Sequence, residues 1–60
     1  MTLTITINMD NGAFDENPGE AARILREQVI RHLENGIERG NGWGLMDVNG
    51  NRVGVAKITG

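Results

Sequence analysis

The sequence predicts an α+β domain of order β-α-β-β, with one helix packed on a three-stranded, antiparallel sheet. Three features carry this. Apolar Leu3, Ile5, Ile7 and Met9 alternate strictly with polar Thr2, Thr4, Thr6 and Asn8, the period of a half-buried strand. From Ala21 to Ile37 the apolar residues recur at helical spacing instead. From Trp43 to Ile58 two strand-like runs flank the turn-forming "DVNGN". Sixty residues with one such set of elements make a single domain, 1–60.

The first strand is followed by "DNGAFDENPGE", whose Asp, Asn, Gly and Pro content reads as a loop that ends in a helix start. Asn17 suits the N-cap and Pro18 the first helical position, where its missing N–H is not needed. Glu20 then falls where it completes a capping box. The helix is expected to begin at Pro18. Along it Ala21, Ala22, Ile24, Leu25, Val29, Leu33 and Ile37 share one sector, and Arg23, Glu27, Arg31 and Glu34 the opposite one. Spacings of four let Arg23 pair with Glu27 and Glu27 with Arg31. Asn35 and Gly36 supply a left-handed C-cap, so the helix ends near Glu34.

Asp47, Asn49 and Asn51 look like the front of a calcium loop. Such a loop needs glycine at its sixth position and a bidentate glutamate at its twelfth, and counting from Asp47 these are Arg52 and Ile58. The stretch reads instead as a three-residue hairpin loop, with a type I turn from Asp47 and Gly50 in the left-handed position, preferred over a two-residue turn centred on Asn49-Gly50 that would separate Leu45 and Trp43 from the valines. That register pairs Leu45 with Val53 and Trp43 with Val55, directing all four toward the helix. It leaves Thr2, Thr4, Thr6, Gly44, Met46, Arg52, Gly54, Ala56 and Ile58 on the uncovered face, with Gly44 opposite Gly54. A lone parallel pair would be poorly buried in so thin a domain, so the third strand is expected in the centre of an antiparallel sheet.

Composition narrows the function. The absence of cysteine removes disulfides and thiolate zinc sites, and with one histidine any metal site would be built from carboxylates. There is no serine, and no threonine has a recognisable base beside it, so no nucleophile is evident and no catalytic residue is assigned. A net charge of −2 and only two aromatic residues, Phe14 and Trp43, disfavour nucleic acid as a partner. The N-terminal stretch alternates where a signal peptide would be uniformly apolar, and no run is long enough to span a membrane. A cytoplasmic protein without cofactor or metal is the expectation.

Four groups remain as candidates. The uncovered sheet face, with Thr4, Thr6, Gly44, Met46, Arg52 and Gly54, is a candidate protein contact, and Trp43 between its glycines is an optional anchor. Asp10, Asp15, Glu16 and Glu20 form an acidic loop that could serve a small ligand or divalent metal, although carboxylates near a helix start are explained by its dipole. Arg23, Arg26, Arg31 and Arg39 could serve RNA or DNA, but glutamates interleave with them, as on a solvated face. His32 lies at the margin of the apolar sector, where a packed histidine with one bonded nitrogen is expected.

Asp10, Asn11, Ala13 and Phe14, then "ARIL" at Ala22–Leu25, then "L-x-D-x-N-G-N-x-V-G" from Leu45 to Gly54, resemble a group of short, functionally uncharacterised proteins of bacteriophages and prophages. Position 46, often basic in that group, is Met46 here. The resemblance implies phage origin, and small phage accessory proteins commonly act by binding host factors, defence systems among them. The expectation is therefore a non-enzymatic binding protein of the bacterial cytosol that modulates a host protein. A homodimer is expected as well, because sixty residues without disulfides have a marginal core.

Overall fold

The computed structural model describes residues 1–60. Its elements are strand β1 (Thr2–Ile7), a short helix α1 (Gly12–Glu16), a longer helix α2 over residues 20–34, strand β2 (Gly42–Met46) and strand β3 (Arg52–Thr59). The sheet order is β1-β3-β2 and both pairings are antiparallel, so β3 occupies the centre. Ile24 and Val29 of α2 meet Leu45, Val53 and Ala56 of the sheet in one core, with Ile7, Phe14, Leu25, Leu33 and Trp43 packed at its margin.

The long helix begins at Glu20, two residues later than the sequence suggests. Asn17 does not cap it. The segment before it folds as α1, whose N-cap is Asn11, with the Asn11 side chain accepting from the Ala13 N–H at 2.9 Å. Asn17 closes that short helix, its backbone N–H donating to the Ala13 carbonyl at 3.1 Å, and Pro18 and Gly19 turn the chain into α2. At the far end Asn35 and Gly36 terminate the helix as expected, with Gly36 at φ 103° and its N–H on the Leu33 carbonyl. Between these ends Leu25–Ile30 widens into π-helical turns. The Trp43 indole N–H donates to the Gln28 carbonyl at 2.8 Å within that stretch. Capture of a helical carbonyl by an inserted side chain is one recognised cause of such a departure.

The hairpin turn has the expected form. The Gly50 N–H donates to the Asp47 carbonyl at 3.0 Å, the Asp47 N–H to the Asn51 carbonyl at 2.9 Å, and Gly50 has φ 83°. The strand register beyond it does not. Met46 opposes Arg52 but Leu45 opposes Gly54, so Val53 is an extra residue, a β-bulge, and drops into the core. Past the bulge every side chain of β3 changes face relative to the expected register. Trp43 therefore pairs with Ala56, not Val55, and Gly44 with Val55, not Gly54. Ala56 and Ile58, expected on the open face, are buried beneath the helix layer.

Gly54 explains why the bulge sits here. A Cβ on it would collide with the Thr6 carbonyl and lie 3.0 Å from the Ile7 Cα, so only glycine lets the bulged strand press against the β1 backbone. The helix layer does not reach equally across the sheet. Leu3 and Ile5 belong to the helix side of β1 by register, yet they remain 40% and 38% exposed.

Candidate functional site

The segment resembling a calcium loop is an internal polar latch. Asp47 is 4% exposed, and its Oδ1 accepts from the Asn49 and Asn51 backbone N–H groups, each at 2.9 Å. Its Oδ2 accepts from the Asn11 amide at 2.8 Å and the Asn51 amide at 3.4 Å. These donors, led by the Asn51 backbone, hold the carboxyl below the usual carboxylate range against the opposing effect of burial. Asn11 thereby caps α1 with one atom and anchors the hairpin with another.

Glu20 makes a second latch. It is 3% exposed; Arg23 donates through Nε to its Oε1 at 2.7 Å and through Nη2 to its Oε2 at 2.9 Å. The Val48 backbone N–H also donates to Oε2, at 2.7 Å, so the start of α2 is tied to the hairpin turn. The Arg23 guanidinium is the main reason the Glu20 carboxyl lies below its ordinary range, and that pairing raises Arg23 in turn. Arg23 also approaches Glu27 at 3.6 Å, the expected helical pair, whereas Glu27 and Arg31 form no ion pair.

These two latches regroup the charged candidates. Glu20 leaves the acidic loop for the interior, while Asp10, Asp15 and Glu16 stay exposed. Nowhere do three histidine, aspartate or glutamate side chains gather closely enough to hold a metal ion. Arg23 is engaged by carboxylates, and only Arg26, Arg31 and Arg39 of the basic grouping remain free of them.

Gln28 and Trp43 together fasten helix α2 to strand β2. The Gln28 side-chain amide donates to the Met46 carbonyl at 2.7 Å and accepts from the Met46 N–H at 2.8 Å, so it takes both backbone groups of an edge-strand residue. Trp43 is half-buried and stacks on His32, with centroids 3.7 Å apart and planes at 11°. His32 has the margin position expected of it, with the Asn41 amide 3.4 Å from Nε2. Neither Gln28 nor Asn11 stands out in the sequence as a site residue. Gln28 carries a faint signal, a polar side chain between the buried positions Ile24 and Val29.

The open face of the sheet carries Thr2, Thr4 and Thr6 from β1, Val55, Lys57 and Thr59 from β3, and Gly42 and Gly44 from β2. Arg52 lies across Gly44, where a Cβ would be 3.1 Å from its Nε. Of the residues expected as contacts, Thr4, Thr6, Gly44, Met46 and Arg52 are on or beside this face. Gly54 is not; it faces the β1 backbone within the sheet. Trp43 is part of the helix-side packing.

The fold and face together define a class: a small α+β domain whose sheet is covered on one side and uncharged over most of the other. Comparison with protein-family models, with curated proteins and with solved structures finds no match. No helix is long and apolar enough to cross a membrane.

Proposed function

We propose that this chain is a non-enzymatic binding protein, a phage accessory protein that acts in the bacterial cytosol by occupying a host protein surface. The observation that carries the reading is the uncovered sheet face. It is broad and made of threonines, glycines and one valine, with Arg52 and Lys57 as its charged members and no carboxylate. Short threonine and glycine side chains on a paired sheet have little rotamer freedom to lose when another protein docks, which lowers the ordering cost of binding. Phage origin rests on the resemblance of "DNGAF", "ARIL" and "LMDVNGNRVG" alone, and a defence component is one class of host target it suggests.

The rival sites are weaker on this geometry. An acidic-loop site loses Glu20 to Arg23, and a nucleic-acid site loses Arg23 to Glu20 and Glu27. Affinity capture from bacterial lysate tests the proposal when three proteins are run side by side. The parent should retain a defined host protein in stoichiometric amount, Arg52→Glu and Val55→Lys should lose it, and Arg26→Glu, away from the face, should keep it. Retention of nucleotide or metal with no protein would transfer the assignment to a ligand-binding module. Loss on Arg26→Glu alone would move the contact to the helix.

A further inference from the structure

The two edges of the sheet are treated differently. On β2, the Gln28 amide occupies the Met46 backbone groups as a neighbouring strand would. The free edge of β1 has no such guard. Between Met1 and Met9 there is no charged residue, no proline and no bulge, the devices that ordinarily prevent strand addition.

The outward groups of β1 can be assigned. Ile58 directs its N–H to the Asn41 carbonyl and its carbonyl to the Gly40 N–H, both on the β2 side of β3. Leu3 opposite Ile58 is therefore a non-hydrogen-bonded position, and alternation gives Ile5 and Ile7 the same status. The N–H and C=O of Leu3, Ile5 and Ile7 point away from the sheet.

The side-chain pattern along this edge is symmetric about Ile5. Reading outward in both directions it runs Thr4 and Thr6, Leu3 and Ile7, Thr2 and Asn8, Met1 and Met9. Leu3, Ile5, Met1 and Met9 are exposed although they lie on the apolar register, and Leu3 opens into an apolar groove of about 380 Å³ with Met1, Leu33, Ile37 and Ile58.

We infer that β1 is a self-pairing edge: two copies of this chain join antiparallel about a two-fold axis at Ile5, making their sheets one continuous sheet. In that register Ile5 meets Ile5 of the second copy, Leu3 meets Ile7, and Thr4 meets Thr6. The outward backbone groups of Leu3, Ile5 and Ile7 all find partners, and the exposed apolar side chains of both copies merge on the helix side. A two-fold interface must be self-complementary, and a neutral strand with a palindromic pattern satisfies this without like-charge repulsion. A foreign strand of the same alternation could use the same backbone groups, but a second copy brings that alternation, an uncharged strand and its own exposed Leu3 and Ile5 together. The open faces of the two copies then form one surface, so the inference extends the host-binding reading without depending on it.

Cysteine cross-linking reads the register, because the native chain has no cysteine. Thr4 and Thr6 of opposite copies would form a non-hydrogen-bonded pair with Cα atoms about 4.5 Å apart, within disulfide range. Under mild oxidation, Thr4→Cys mixed with Thr6→Cys should give several-fold more covalent dimer than either variant alone. Sedimentation of the parent over a range of concentrations should show reversible dimer. Thr4→Lys combined with Thr6→Lys should weaken self-association about tenfold or more, and Thr4→Lys with Thr6→Glu should restore it. Equal cross-linking in all three mixtures would overturn the register. A parent that stays monomeric at every concentration would overturn the pairing itself, whatever it captures from lysate.

Discussion

Single residues carry unusual weight because the core is small; besides seven apolar side chains, only Glu20 and Asp47 are buried. Gly54 is the clearest case, since its missing Cβ is a tertiary requirement. Gly54→Ala must separate β1 from β3 or undo the bulge, and should cost roughly 2–4 kcal/mol in chemical denaturation. Gly12→Ala, where a Cβ meets nothing within 4 Å, should be neutral within about 0.5 kcal/mol. Comparable effects of the two would show that the close approach of β1 is not what Gly54 serves. Asp47 and Glu20 make a pH prediction. Both carboxyls lie below their ordinary values in the folded chain, so the unfolded chain takes up protons first as pH falls. Their stabilisation is complete above the unfolded carboxylate values, about 3.9 and 4.3, and is lost as pH falls through the lower folded ones. Melting temperature should therefore fall as the pH drops below about 4. Asp47→Asn should be less stable than the parent at neutral pH and show a shallower acid slope, and a parallel slope would mean that Asp47 titrates alike in both states.

At the scale of elements, the legible parts are those set by local chemistry. The threonine alternation specifies β1, the apolar sector specifies α2, and Asp47 with Asn49-Gly50 specifies the turn type. The central place of β3 also follows, because a three-stranded sheet this thin avoids a parallel pair. The strand register was not legible, because the bulge at Val53 depends on how closely β1 approaches Gly54, and no neighbour of Gly54 in sequence reports that contact. The short helix α1 was hidden for a related reason: five residues hold only one helical turn, and Asn17-Pro18 offered a stronger start than the actual cap, Asn11. The open face is legible on the β1 side, where Thr4 and Thr6 lie as the alternation predicts, whereas past the bulge the alternation of β3 no longer reports which side chains belong to it. The turn itself gives a test. Gly50→Val should cost at least about 1 kcal/mol in urea unfolding, since φ 83° is a left-handed conformation, while Asn49→Asp should cost little. Equal, negligible costs would point to a different turn. Gln28→Ala removes two hydrogen bonds from an edge strand to the helix and should cost about 1–2 kcal/mol, with faster amide exchange confined to Met46 and its neighbours. Uniform exchange changes would make Gln28 a general stabiliser and leave the β2 edge without a dedicated guard.

For the molecule as a whole, the question is how a sheet covered on one side, and only partly there, remains folded. Leu45 and Ile24 are the two large side chains removed from solvent entirely, one from each layer, and they hold the layers together. Truncating a fully buried leucine costs about 2–5 kcal/mol, and a domain of this size has only about 3–5 kcal/mol in total. Leu45→Ala should therefore be largely unfolded by circular dichroism at 25 °C, under conditions in which the parent is folded. Ile30→Ala, at a position that is half exposed on the same helix, should melt close to the parent. The self-pairing edge adds a second expectation to the same measurement. If β1 pairing contributes burial that the lone chain lacks, association and folding are linked, and the melting temperature of the parent should rise with protein concentration. Leu45→Ala should then regain helical signal as its concentration is raised, while Leu45→Ala combined with Thr4→Lys and Thr6→Lys should not. A cooperative, concentration-independent melt of Leu45→Ala within a few degrees of the parent would contradict both parts. It would show that the layers are joined elsewhere than at Leu45, and that the exposed strip on β1 adds nothing to the stability of the fold.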